Sequence, residues 1–339
     1  MTSSPSFHES NLWSTPIRDL GLTIKGTRLE PLVAQVMDEL RGTGIIHLTP
    51  RFYLSTEWGV PFETIAIAIP FYLASTELAE VHRERAMLVE GFDRQEILSY
   101  LRHELGHAVN YAWRLYDRED WLKHFGAITQ PYEDDYTPEP FSRRHVRHLP
   151  GWYAQKHPDE DWSETFAVWL TPGSNWRSEY AGWPVALAKL QFCDRMMREL
   201  GATIPPVTDD ELDEDVAEMD YSLEEFYDDD DDMGDDIPPG LDGALRAIFS
   251  DLGRRTGQEP PRPAADLMRR LERGLMANVF RWTGHFPERT QLLLRHLEER
   301  AQTLGLGYDP AREESARLAI TTFITALAMN HIHRGSYLP

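Results

Sequence analysis

The chain has 339 residues, enough for one large domain or two ordinary ones, and its 41% hydrophobic and 11% aromatic residues can supply a sizeable core. One cysteine, Cys193, excludes an internal disulfide and a thiolate metal cluster. A formal net charge of −22 disfavours nucleic acid and anionic membrane surfaces as main partners, because phosphates are held by clustered Lys and Arg.

Residues 1–10 contain no basic stretch followed by an apolar core, so no Sec signal is expected. Strand candidates follow at Leu22–Lys25, Gly44–Leu48, Arg51–Leu54 and Glu63–Ile69, with a helix at Leu29–Arg41 between the first two. In Glu63–Ile69 every second residue is β-branched, and Pro70 limits pairing beyond it. Helices are predicted over 76–90 and 93–116. Asp93 followed by Glu96 reads as a capping box opening the second.

That second helix carries His103-Glu104-x-x-His107. Two histidines four residues apart lie one turn apart on one helix face and can share one zinc ion, while Glu104 sits about 100° round the helix, within reach of a metal-bound water. Ile97, Leu101, Leu105, Ala108 and Ala112 recur as a core face; His103, His107, Asn110 and Arg114 fall opposite. The plain alternative is an exposed helix that carries two histidines. A metzincin continuation would need glycine at position 110 and histidine at 113; Asn110 and Trp113 exclude it.

Catalytic zinc usually takes a third protein ligand. The segment 126–150 reads as a long loop able to wall a cleft, and its Arg143, Arg144 and Arg147 are candidates to hold acidic substrate groups, with surface solvation as the plain alternative. A helix is predicted over 159–170, opened by Pro158 and the acidic Asp159–Asp161 and stopped by Pro172 and Gly173. Trp162, Phe166, Trp169 and Leu170 make its apolar face, and Glu164 lies off that face near mid-helix. Glu164 is thus a candidate ligand or an ordinary exposed glutamate. His124, His145, His148, His157 and Asp161 are rivals, with Asp161 better suited to brace a zinc histidine through its second ring nitrogen, or simply to charge the helix N-terminus. A helix over 183–200 follows.

Residues 209–236 hold 17 Asp or Glu and no Lys or Arg; without them the formal charge falls from −22 to −5. Such a block reads as a solvated linker, taken here as 206–240, although its Tyr221, Leu223, Phe226 and Tyr227 could dock part of it on a folded surface. Beyond it the texture is helical, with candidate helices at 241–253, around Leu267–Trp282, around Leu293–Leu304, and after Asp309-Pro310. The apolar stretch 318–329 is too short and Thr-rich to span a bilayer. His331 and His333, two apart, cannot share one helix face and read as surface residues.

Four segments, Ala66–Tyr72, Leu101–Ala108, Gly151–Leu170 and Tyr180–Pro184, together resemble the bacterial zinc-binding metallopeptidases, a gluzincin group, over about residues 20–200. The Tyr-Ala…Glu-x-Phe-Ala-Val string is also similar to the glutamate-helix region of lethal-factor-like gluzincins. The resemblance implies Glu164 as third ligand beside His103 and His107, and Tyr153 in the active site, although about one extra helical turn separates Tyr153 from Glu164 here. It further implies that the strand above the active helix, at Ile67, Ala68 and Ile69, can bind an extended peptide by β-addition, where residues alone suggest a buried strand.

The expected protein is α+β: a zincin-like catalytic domain (1–205) with a small sheet and active-site helix, an acidic linker (206–240) and an all-α helical domain (241–339). Its expected function is zinc-dependent peptide hydrolysis with one ion, in which zinc activates a water, Glu104 is the general base, and Tyr153 stabilises the oxyanion, with Tyr180, His148 and His145 as alternatives. The competing readings are a zinc amidase acting on a non-peptide or isopeptide bond, and a metal-binding regulator with latent activity, which the intact Glu104 disfavours. Expected partners are a peptide or protein substrate and, through the helical domain, a protein partner or a second copy; a soluble, cytoplasmic location is expected.

Overall fold

The structure, a computed structural model, describes residues 12–85, 89–132, 136–139, 141–228, 240–251 and 260–337. The fold is mostly helical with two small sheets. The chain divides into two compact units, residues 1–149 with 153–231, and residues 232–339 with the short 150–152 segment.

In the first unit, α1 (Glu30–Gly42) precedes two parallel strands, β1 (Arg51–Ser55) and β2 (Ala66–Pro70), in register Arg51 to Ala66 through Ser55 to Pro70. Then come α2 (Thr76–Arg85), α3 (Arg94–Ala112), α4 (Glu119–Phe125), α5 (Pro158–Leu170), the short α6 (Trp176–Glu179), α7 (Pro184–Leu200) and α8 (Leu223–Asp228). The expected capping box opens α3: Asp93 Oδ1 accepts from the Gln95 and Glu96 amides at 2.7 and 2.9 Å, and Glu96 accepts from the Asp93 amide. Ile97, Leu101, Leu105, Ala108 and Ala112 are all buried, as their spacing predicts.

Helix α3 packs along α5, and the two backbones come close at Gly106. A Cβ built there would stand 2.7 Å from Ser163 Cα, so only glycine lets the two backbones meet. Trp162 locks the contact by donating from Nε1 to the Gly106 carbonyl at 2.8 Å.

Leu22–Lys25 and Gly44–Leu48 do not form strands. Ile45 and Leu48 are nevertheless fully buried, so their apolar character serves the core directly; the backbone turns at Gly44, with φ +98°, and Ile46 finds the Gly201 carbonyl in place of a ladder partner. The stretch 206–228, expected as linker, belongs to the first unit. Val207 bonds to Ala112 and Ile65 to Asp209 through the main chain, and Val216, Met219 and Leu223 enter the core. Of the expected linker, residues 229–239 lie outside the described residues.

The second unit holds α9 (Asp242–Ile248), α10 (Ala264–Thr283), α11 (Pro287–Thr303) and α12 (Glu313–Arg334). It is not all-α: β3 (Ser250–Asp251) and β4 (Arg262–Pro263) flank β5 (Leu306–Tyr308) in a small antiparallel sheet. His331 is not a plain surface residue, since its ring stacks on Tyr337 with centroids 4.4 Å apart. Among the described residues no helix is long and apolar enough to cross a membrane.

Candidate metal centre

Helix α3 presents His103 and His107 one turn apart, with Nε2 atoms 3.1 Å from each other. Helix α5 brings Glu160 Oε2 to 2.9 Å from His103 Nε2 and 3.3 Å from His107 Nε2. All three side chains are buried. A tetrahedral zinc with bonds of about 2.0–2.1 Å holds its ligand atoms about 3.3 Å apart, so two imidazoles and a carboxylate at these separations have the donor chemistry and spacing of one such ion.

The other ring nitrogens are engaged in ways that aim Nε2 inward. His103 Nδ1 meets Glu164 Oε1 at 3.0 Å, and His107 Nδ1 meets Asp159 Oδ2 at 2.9 Å. A histidine whose Nδ1–H is given to a carboxylate keeps its Nε2 lone pair for a metal. Each bracing carboxylate is itself held. Glu164 accepts from the amides of His148 and Leu149 at 3.1 and 2.9 Å, while Asp159 accepts from Asn110 Nδ2 at 2.7 Å and the Tyr111 hydroxyl at 2.5 Å.

Glu164 therefore does not stand where the third ligand was expected. It braces His103 from behind, and Glu160, one turn earlier on α5, faces the histidines. Asp161, expected as the brace, turns to α7 and pairs with buried Lys189 Nζ at 2.5 Å; burial pushes its carboxyl up to about 7 in spite of that lysine. Among the rival ligands, His148 Nε2 meets the Ser99 carbonyl, His157 caps α5, His145 lies 3.9 Å from Asp161, and His124 packs against Phe192. None of these four joins the three-atom group.

Glu160, Asp159 and Tyr132 were not singled out for the site from the sequence, and the first had a signal. The extra turn between Tyr153 and Glu164 disappears when the ligand is placed at 160. The acidic run 159–161 reads as dipole-facing surface charge, yet all three side chains are buried with partners of their own.

His103, His107, Glu160 and Glu104 line one cleft of about 510 Å³. Burial lifts the Glu104 carboxyl above its usual range, against the lowering influence of His103 and His107. Tyr153 also lines the cleft, its ring edge-on to His103 at 5.5 Å; burial first, and Glu160 next, keep its hydroxyl protonated well above the usual range. Tyr132 donates to Glu160 Oε1 at 2.7 Å from the 126–132 part of the expected loop, which also walls the cleft with Ile128, Thr129 and Gln130.

Ile67, Ala68 and Ile69 do not reach this cleft. Ile67 and Ile69 are fully buried, and the Ala68 amide is already bonded to the Gly59 carbonyl at 2.8 Å. The wall on that side is Trp58, Gly59, Val60 and Phe62. Tyr180, His145 and His148 are likewise absent from the lining, and so are Arg143, Arg144 and Arg147; the Arg147 guanidinium sits over the Trp183 ring.

Residues 66–177, which carry both site helices, match the family described as "Putative zinc-binding metallo-peptidase". An uncharacterized protein of Mycobacterium bovis and the uncharacterized proteins of two Mycobacterium tuberculosis strains are each 35% identical to this chain over 101 residues. That similarity covers 27% of this chain and 28% of each relative's length. No solved structure matches.

Proposed function

We propose that this protein is a zinc-dependent peptidase with a gluzincin-like site, in which His103, His107 and Glu160 hold the ion and Glu104 is the general base. The observation that carries the reading is the convergence of His103 Nε2, His107 Nε2 and Glu160 Oε2 to within 3.3 Å of one another in a cleft that also contains Glu104. A purely structural site has no need of that fourth group.

Bound at these three atoms, zinc would supply a Lewis acid that lowers the pKa of a water and polarises a carbonyl. Glu104, with a carboxyl lifted by burial, accepts the proton of the attacking water and returns it to the leaving amine. The Tyr153 hydroxyl, held protonated, donates a hydrogen bond to the carbonyl oxygen as negative charge develops there. Asp159 and Glu164 fix the two imidazoles, so the ligand geometry does not have to be assembled at each turnover. The substrate lies along the 58–62 wall and not along β2.

Glu104→Gln tests this. The variant is expected to retain one zinc per chain by metal analysis while peptide-library hydrolysis falls about 10²–10⁴-fold. Undiminished cleavage with zinc still bound would overturn the assignment.

A further inference from the structure

The geometry points to a substrate preference: resting on the peptidase reading above, we infer that the cleft selects a lysine or arginine side chain beside the scissile bond. Five aromatic side chains line it, Trp58, Phe62, Tyr111, Tyr132 and Tyr153. Aromatic faces are electron-rich and attract a cation placed over them. Walls of this kind alone would equally suit an apolar side chain, so the charge of the cleft decides between the two.

That charge is negative. Among the described residues the lining includes the carboxylates Glu104, Asp159 and Glu160 and neither lysine nor arginine. His157 has both ring nitrogens engaged by the main chain, Nδ1 by the Asp159 amide and Nε2 by the Gln130 carbonyl. A divalent ion does not reverse the balance: set together with Lys156 against Glu104, Asp159, Glu160 and the bracing Glu164, it still leaves one negative charge in excess. The arginines that could have held an acidic substrate point elsewhere: Arg143 and Arg144 are exposed, and none of the three arginines at 143–147 lines the cleft.

The chain itself shows that these rings accept an ammonium group. Lys156 Nζ lies 4.4 Å from the Tyr132 ring centroid and 5.4 Å from that of Tyr153. A substrate cation would meet the remaining aromatic walls, Trp58, Phe62 and Tyr111, in a field that an acidic residue cannot enter without repulsion.

Two measurements on the zinc-loaded full chain test the inference. In the first, peptides differing at one residue beside the cleaved bond are compared, lysine with norleucine, which lacks the ammonium group, and arginine with citrulline, its neutral isostere. The charged member is expected to give at least a tenfold higher kcat/KM, and a glutamate peptide the lowest value. Equal rates, or a preference for the neutral or acidic member, would overturn it. In the second, calorimetric titration with N-acetyl-argininamide and N-acetyl-citrullinamide reads selection without turnover. Binding about tenfold tighter for the arginine compound supports the inference and equal binding overturns it. Failure to cleave any peptide would count against the peptidase reading, and this second comparison would still decide the cation preference.

Discussion

Two glutamates four residues apart on α5 both touch His103, and only their sides of the imidazole differ. Glu160 reaches Nε2, at 2.9 Å, and Glu164 reaches Nδ1, at 3.0 Å. Loss of a brace typically weakens metal binding by about 10–100-fold, whereas loss of a ligand removes a bond to the ion itself. Glu160→Ala is therefore expected to lower zinc affinity by more than about 100-fold, and Glu164→Gln by about 10–100-fold, in a competition titration against a chromophoric chelator. The reverse ranking would return the ligand role to Glu164. The pair also marks where the sequence stops being informative. His103, Glu104 and His107 are legible because one helix turn fixes their relation. The proposed third ligand comes from a different helix, and the choice among Asp159, Glu160, Asp161 and Glu164 depends on how α5 is rotated against α3, which no local spacing encodes.

That rotation is set where the two helices touch. Alanine at position 106 would place a Cβ 2.7 Å from Ser163 Cα and 3.1 Å from Ser163 Cβ, contacts that no side-chain rotation relieves. Helix propensity favours alanine over glycine by about 1 kcal/mol, but overpacking a tight contact costs about 1–3 kcal/mol, so packing outweighs propensity here. Gly106→Ala is expected to lower the melting temperature, and zinc affinity with it, because Ser163 is one turn from Glu160. Gly274→Ala, at an exposed position of α10 with open space around its Cβ, should instead raise stability by about 0.5–1 kcal/mol. If Gly106→Ala behaves like Gly274→Ala, the close approach is not what positions α5. Helix starts marked by local chemistry were legible to within a residue, α3 by Asp93 and Glu96 and α5 by Pro158, whereas the end of α3, expected at 116, falls at Ala112. Leu22–Lys25 and Gly44–Leu48 misled because a short apolar run looks the same whether it pairs in a sheet or is buried without pairing. Residues 206–228 misled in the opposite sense. Their charge suggested solvent, but Val216, Met219 and Leu223 recur among the acids, and burying them outweighs the exposure of the rest.

At the scale of the molecule, the two units answer acid differently, since the conspicuous buried carboxylates lie in the first and a buried histidine lies in the second. His285, 1% exposed, joins α10 to α11. Its Nδ1 donates to Thr290 Oγ1 at 2.7 Å, the Thr290 hydroxyl proton being given to the Phe286 carbonyl, and its Nε2 meets the Tyr337 hydroxyl at 3.0 Å. Burial, then the charges of His331 and Arg289, lower its pKa to about 3. A histidine whose folded pKa lies below its unfolded value of about 6.5 stabilises the fold fully above pH 6.5, and that contribution is lost as pH falls from there towards 3, because the unfolded chain takes up the proton first. The loss should reach a few kcal/mol at the acid end, on the order expected for a fully buried imidazole. His285→Gln is expected to be less stable than the wild type at pH 7.5, through the lost Thr290 and Tyr337 bonds, but to lose less further stability by pH 4.5. Thermal melts of the full chain followed by circular dichroism at the two pH values read this directly. Carboxylates of both units titrate in the same window, and they do so equally in the two proteins, so the difference between the two pH slopes belongs to His285. Parallel slopes would show that this ring is not the group through which acid loosens the helical unit.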